Sequence, residues 1–426
     1  MSRIRSSHSL SSLLPPVELR RPLLAGSGVF VASWLFLSYV PAFAVWLYGD
    51  VRFYENWGSM MAGHLVPYRD FHIEYPPGAL ITFLAPTYLR KLAGYHGTYY
   101  DWFRVEILVI GLASIVVMAW ALAFLGAARR RAYASLCLGG VGAALLGPIA
   151  LSRYDYWPAL FGVGAVAALA ARRPVLACGL SAVGAAAKVY PVVLVPLALI
   201  ELWRRKGARG VAEGVALAVG VVAALTAPFA AVAPHGLSWA LHRELVRPLQ
   251  VESLGAVFFA AAHEVANVHL HVVKSFGSDN LVGSGPDLAV TLSSVATAAA
   301  LLGVYLLYAR SGHTREQLVA ASAAAVTAYI AFSKVFSPQY LIWLIPLVPL
   351  VGGRRGLRAS VLLAVVLGMT QIWEPYRYYE YYRTFTPWLT WLVIVRDLLV
   401  VVLFAVLVWP SGRNAQQLDP LRAPVV

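Results

Sequence analysis

The chain has 426 residues, of which 60% are hydrophobic and 13% charged, against about 45–50% and about 25% in a soluble domain. A mean hydropathy of +0.69 excludes a water-soluble globular fold. The formal net charge of +14 comes from short basic clusters between apolar runs, which is a membrane-orientation pattern and not a nucleic-acid footprint.

Apolar stretches of about 18 to 25 residues recur along the chain, each long enough to cross roughly 30 Å of hydrocarbon as a helix. The first covers 26–48, after Arg3, Arg5, Arg20 and Arg21; it is too long for a signal-peptide apolar region and reads as an uncleaved anchor following a cytoplasmic tail, residues 1–25. Further spans are expected at 104–127, 132–150, 156–171, 174–187, 189–203, 208–232, 286–309, 316–333, 338–352, 358–374 and 386–409, before a cytoplasmic tail over 411–426. The expected fold is therefore all-α integral membrane, with about twelve spans in a multispan domain over 26–410. Cys137 and Cys178 sit inside apolar runs without metal-ligand spacing, so neither a disulfide framework nor a structural zinc site is supported.

This count puts the Arg clusters at 129–131, 172–173, 204–209 and 354–358 on the cytoplasmic side, with Arg413 and Arg422. Residues 77–92 are then a partly embedded helix of an outer loop, because a full crossing would turn every later Arg cluster outward. The large outer loops are 49–103 and 233–285, and shorter ones fall at 152–155, near 188, at 333–338 and at 374–385. Basic residues that are mostly Arg, with heavy Ala and Val use, suggest a GC-rich bacterial genome and so a bacterial plasma membrane. Ionisable groups gathered at one membrane face are by default a functional-site hypothesis.

Those loops carry the motifs. Tyr48-Gly49-Asp50 puts a carboxylate at the exit of the first span, as a base at the water–hydrocarbon boundary or as a helix N-cap. Residues 67–78 pack Tyr68, Arg69, Asp70, His72, Glu74 and Tyr75 ahead of Pro76 and Pro77, which forbid a helix and hold the stretch extended. A general base, a phosphate-binding cation and an aromatic platform for a sugar can come from this stretch, or it is an interfacial loop. Arg153 and Asp155 are a site or an internal ion pair. Lys188, before Tyr190 and Pro191, interrupts an apolar run and either snorkels or meets an anion such as a lipid phosphate. Residues 241–253 form an amphipathic segment whose Arg247, Gln250 and Glu252 point at a polar substrate or at solvent. His263-Glu264 lacks the second His of the zincin spacing, and the tyrosine-rich run 377–383 is most simply an aromatic belt. Lys334 with Ser337, Pro338, Gln339 and Tyr340 again places a cation, a proline break and hydrogen-bonding groups at an outer helix end. No P-loop, dinucleotide fingerprint or nucleophile elbow occurs, so nucleotide-driven and serine-hydrolase chemistry have no support.

In order, Asp50-x-x-x-Tyr54, Pro67-Tyr68-Arg69-Asp70 with Glu74-Tyr75-Pro76-Pro77-Gly78, Arg153-x-Asp155, Lys188-x-Tyr190-Pro191, Arg247-x-x-Gln250-x-Glu252-Ser253 and Ser337-Pro338-Gln339-Tyr340 resemble glycosyltransferase family 87 across residues 26 to 410. The resemblance implies a C-type glycosyltransferase that takes a sugar, mannose or in its relatives arabinofuranose, from a polyprenyl monophosphate on the outer leaflet and inverts the anomeric carbon. The acceptor is then an envelope glycolipid or glycan. Neither a cofactor nor a metal is implied, because the lipid-linked sugar is a substrate. Asp50 matches the base of such enzymes, and Asp70 and Glu74 either orient hydroxyls or supply the base in its place. Lys188, Arg153, Arg247 and Lys334 are the implied partners of the leaving phosphate. Tyr54, Tyr68, Arg69, Tyr75, Asp155, Tyr190, Gln250, Glu252, Gln339 and Tyr340 complete the candidate substrate-binding set. Some relatives carry histidines near Ser337-Pro338-Gln339, and this chain does not. The competing readings are a polytopic transporter, for which no internal repeat is visible, and a non-catalytic membrane scaffold.

Overall fold

The computed structural model describes residues 15–44 and 49–409. Arg3, Arg5, Tyr48, Arg413, Arg422 and the 411–426 tail lie outside the described residues. The apolar runs fold in order as α1 (Val17–Tyr39), the short α2 (Pro41–Ala44), α3 (Val51–Ala62), α4 (Leu80–Leu92), α5 (Tyr99–Phe124), α6 (Arg129–Leu146), the single turn α7 (Ile149–Ser152), α8 (Tyr156–Ala170), α9 (Pro174–Ala187) and α10 (Val195–Val232). The second half adds α11 (Pro234–Leu245), α12 (Leu254–Ala266), α13 (Ser284–Ala309), α14 (Arg315–Phe332), α15 (Gly353–Trp373), α16 (Tyr378–Thr384) and α17 (Pro387–Val408). Six helical segments are long and apolar enough to cross a membrane: α1, α5, Tyr190–Val232, α13, α15 and α17; α8, α9, α12 and Pro338–Leu350 are shorter apolar helices. Helix starts follow local chemistry: Thr98 with Asp101 and Thr314 with Gln317 close capping boxes on α5 and α14, and Pro174, Pro234 and Pro387 open α9, α11 and α17.

Several expectations are corrected. The first helix starts at Val17, taking in Arg20 and Arg21, and stops at Tyr39 because Pro41 cannot continue it, so 26–48 is not one helix. The expected pair 189–203 and 208–232 is continuous but broken at Gly207, whose φ of 60° and ψ of −147° only glycine adopts readily. Residues 338–352 do not form an α-helix. Pro338, Pro346 and Pro349 replace it with 3₁₀ turns over Pro338–Trp343 and Val348–Leu350, and the run is almost wholly buried. At about 2.0 Å per residue, Pro338–Leu350 covers roughly 26 Å; within it Trp343 donates to Asp155, and the Leu350 carbonyl at its end accepts from Arg131. Non-α backbone at membrane depth is tolerated when protein surrounds it.

The fold is not purely helical. Leu249–Gln250 (β1), Val272–Ser275 (β2) and Ser278–Leu281 (β3) form an antiparallel sheet in the order β1-β3-β2, so the segment expected to be amphipathic over 241–253 is helical only to Leu245. Residues 67–71 are a tight turn and not extended: Tyr68 takes a φ of 67° and donates its N–H to the Phe71 carbonyl. The run 377–383 is not a belt either, since Tyr381 and Tyr382 of α16 are buried against the sheet.

α4 ends in Arg90 and Lys91 after 13 residues, about 20 Å of helix, which is too short to cross. α1 and α6 meet through small residues: a Cβ on Gly140 would stand 2.6 Å from the Gly26 carbonyl oxygen and 2.9 Å from the Phe30 nitrogen. Gly140→Ala should therefore destabilise the protein by about 1–3 kcal/mol, read as a lower unfolding temperature in nanodiscs. Gly28→Ala, on the open face of α1 with no atom within 4 Å, should leave it unchanged.

Candidate active site

The chain turns at Gly49 and Asp50 and enters α3 at Val51. A Cβ at Gly49 would lie 2.9 Å from Arg153 Nη1, so the turn sits directly against the arginine. Asp50 makes no side-chain capping bond to α3. Its carboxylate instead lies 3.3 Å from Arg153 Nη1, with Asp50 about one-third exposed and Arg153 mostly covered. Burial opposes the Arg153 charge, but Asp50 and the surrounding acidic groups outweigh it and hold the guanidinium protonated. Beneath this pair lies an aromatic wall: Tyr54 stacks on Phe83 at 4.5 Å, and Tyr75 and Tyr154 meet edge-to-face at 5.2 Å.

Two residues after Arg153 the chain turns inward. Asp155 is fully buried and accepts from Lys188 Nζ and Trp343 Nε1, each at 2.7 Å, on the same oxygen. Lys188 stands 4.9 Å from the Tyr340 ring and 5.4 Å from that of Trp343, and Trp343 is stacked between Tyr190 at 3.8 Å and Tyr340 at 4.1 Å. Arg153 and Asp155 are therefore not partners of each other, and Lys188 neither snorkels nor stands alone. Burial lowers the Lys188 pKa, and Asp155 opposes the shift.

A third group comes from the loops around α11. Glu74 accepts from Arg243 Nη2 at 2.7 Å, and Arg243 lies over the rings of Trp239 and Phe276. Arg247 donates to the Phe276 carbonyl and to Ser278 Oγ and stands 3.5 Å from Glu244. Lys334 donates to the Leu245 carbonyl at 2.7 Å, within electrostatic reach of Arg247 and Glu244. Glu244 lies within electrostatic reach of Tyr154, Lys188 and Tyr340, which sets the third group near the other two.

The structure brings together Asp50, Tyr54, Glu74, Tyr75, Arg153, Asp155, Lys188, Tyr190, Arg247, Lys334 and Tyr340 from segments far apart in sequence. Asp70 is held otherwise, by Arg69 at 2.9 and 3.0 Å and by the Val66 N–H, so that pair closes its own turn. Tyr68 bonds the Tyr75 carbonyl, which fixes the loop, and Gln339 accepts from Ser337. Gln250 donates to Glu252 beneath the sheet, where Arg396 of α17 reaches the Glu252 carbonyl at 3.2 Å.

Sequence reasoning passes over Glu374, Arg396 and Asp397. Arg396 and Asp397 pair at 2.7 Å with almost no exposure inside an otherwise apolar span, and that adjacent charge pair was a visible signal. Glu374 follows the last residue of α15, is 8% exposed, and faces Asp50 and Arg153.

The profile of glycosyltransferase family 87 matches residues 71–338, more than half of the chain. The chain belongs to glycosyltransferase family 87. It is thus a membrane glycosyltransferase. The matched segment contains Glu74, Arg153, Asp155, Lys188, Arg247 and Lys334, and begins after Asp50. No curated protein matches the sequence.

Two outcomes follow for the transferase. Lys188→Met leaves Asp155 buried without its cation and should cost about 3–5 kcal/mol. Adding Asp155→Asn should recover part of that loss, measured as unfolding temperature in nanodiscs. Burial, reinforced by Asp50, pushes the Glu374 carboxyl from 4.5 up to about 8. The folded protein then holds a proton that the unfolded chain releases, so stability falls as pH rises from 4.5 to 8. Glu374→Gln should gain on the wild type in unfolding free energy across that window, by at most a few kcal/mol, read from unfolding temperatures measured at pH 5 and pH 8.

Proposed function

We propose that this enzyme moves a sugar, most simply mannose, from a polyprenyl-monophosphate donor to an envelope glycolipid or glycan acceptor on the outer face of a bacterial plasma membrane. The observation that carries the reading is the Asp50–Arg153 pair: a partly exposed carboxylate with no capping duty, 3.3 Å from a guanidinium. Asp50 takes the proton of the acceptor hydroxyl, whose oxygen attacks the anomeric carbon in line as the bond from that carbon to the phosphate oxygen breaks. A β-linked donor leaves as polyprenyl phosphate and the product is the α-glycoside.

Arg247 and Lys334 are the cations best placed for the departing phosphate, whose charge grows in the transition state. They share an electrostatic neighbourhood with Glu244, and Arg247 also lies within reach of Glu74. Arg153 and Lys188 support the site through carboxylates of their own. Tyr75 and Tyr340 offer ring faces to the sugar, and Glu74, held by Arg243, orients a hydroxyl.

The test is transfer from radiolabelled polyprenyl-phosphate-mannose to an envelope extract by the protein in nanodiscs, with and without chelator. Asp50→Asn should lower the rate by about 10²–10⁴-fold with the fold intact. Asp50→Asn retaining wild-type transfer would remove Asp50 as the base. Wild-type protein inert toward this donor but active with a polyprenyl-phosphate pentose would change the sugar and keep the reaction class.

A further inference from the structure

Beyond the site around Asp50, a cavity of about 550 Å³ opens between the β2–β3 hairpin, the end of α12 and α16, within the size range of small-molecule sites. His263, Lys274, Asp279, Tyr382, Arg383 and Phe385 line it. Lys274 stands opposite Asp279 in the hairpin register, yet Asp279 accepts from Tyr378 Oη at 3.0 Å. Arg383 lies over Tyr379 and Tyr382, at 5.1 and 5.9 Å from the ring centres. Among the described residues, neither Lys274 nor Arg383 has a carboxylate within ion-pair distance, and both line the one cavity. The His263 Nδ1–H donates to the Val268 carbonyl at 2.8 Å, which leaves Nε2 for a ligand, and its ring packs 5.2 Å from Phe385.

Flat rings beside hydrogen-bonding groups suit the apolar face and hydroxyls of a sugar, and an ammonium and a guanidinium lining the same cavity suit a phosphate. The wall of the cavity also leads inward. Tyr378, bonded to Asp279, lies within electrostatic reach of Glu252 and Glu374, and Glu374 lies within electrostatic reach of Asp50 and Arg153.

We infer that this cavity is an acceptor subsite that holds a phosphate-bearing saccharide unit while another part of the acceptor reaches Asp50. The inference rests on the reading of the chain as a transferase with Asp50 at its centre. It adds an anionic group to the chemistry of the acceptor, and it assigns Lys274 and Arg383 to affinity and not to the chemical step.

The probe is a hexose 6-phosphate, with the methyl hexoside as uncharged control, titrated into the full-length protein in zwitterionic nanodiscs. Wild type should bind the phosphate about ten-fold or more tightly than the control, and added salt should weaken the difference. Lys274→Gln with Arg383→Gln should erase the preference while the unfolding temperature holds, and Phe385→Ala should weaken both ligands. In the transfer assay the double variant should raise the KM for an anionic acceptor with little change in kcat. Asp50→Asn should bind the probe as wild type does, so a failure of the base assignment appears in transfer alone and a failure of the subsite appears in binding alone. The subsite is overturned if the double variant keeps the phosphate preference. It is equally overturned if nanodiscs rich in phosphatidylglycerol abolish probe binding, since a lipid headgroup would then be the occupant.

Discussion

A buried carboxylate and a buried ammonium cannot be left apart in a low-dielectric interior, and the Asp155–Lys188 contact at 2.7 Å meets that constraint. It joins the start of α8 to the end of α9, and Trp343 adds the 338–350 run to the same oxygen. The rings of Tyr340 and Trp343 then close around the ammonium. Everything that faces the candidate site from this side depends on that junction. Because Asp155 turns inward there, Arg153 turns the other way and meets Asp50.

Irregular backbone does the positioning. The Pro76-Pro77-Gly78 turn docks on α9, where a Cβ on Gly78 would come within 2.6 Å of the Ala186 backbone, and its carbonyl accepts from Trp157 at 3.0 Å. The 3₁₀ turns after Pro338 present Tyr340 and Trp343 on the site side and still cross the bundle. Both segments lie within protein, where neighbouring helices and side chains satisfy backbone groups that lipid would leave unpaired.

The two ends of the bundle have different chemistry. At one, Arg131 meets Glu316 and the Leu350 carbonyl, Arg205 the Arg172 carbonyl and Arg315 the Phe124 carbonyl, so the cations close helix ends. At the other, carboxylates and cations from distant loops face each other beside stacked rings.

The helices, their order and the segregation of Arg clusters from the loop motifs were legible because hydrophobic length and charge position are local properties of the chain. Asp50, Glu74, Arg153, Lys188 and Arg247 stood out for the same reason, as ionisable groups next to apolar spans. Pairing was not legible. Asp155 could have met Arg153 two residues away, and met Lys188 instead, which the end of α9 brings to it across 33 residues of chain. Asp70 looked as suitable a base as Asp50, but its own neighbour Arg69 occupies it. The small sheet and the 3₁₀ crossing depend on partners distant in sequence, and Glu374 and the Arg396–Asp397 pair acquire meaning only from what is packed around them. Sequence determined which segments leave water and which charges stay at the boundary. Only the tertiary structure decided which opposite charge each one meets, because in a low-dielectric interior that choice is made by a few ångströms of packing.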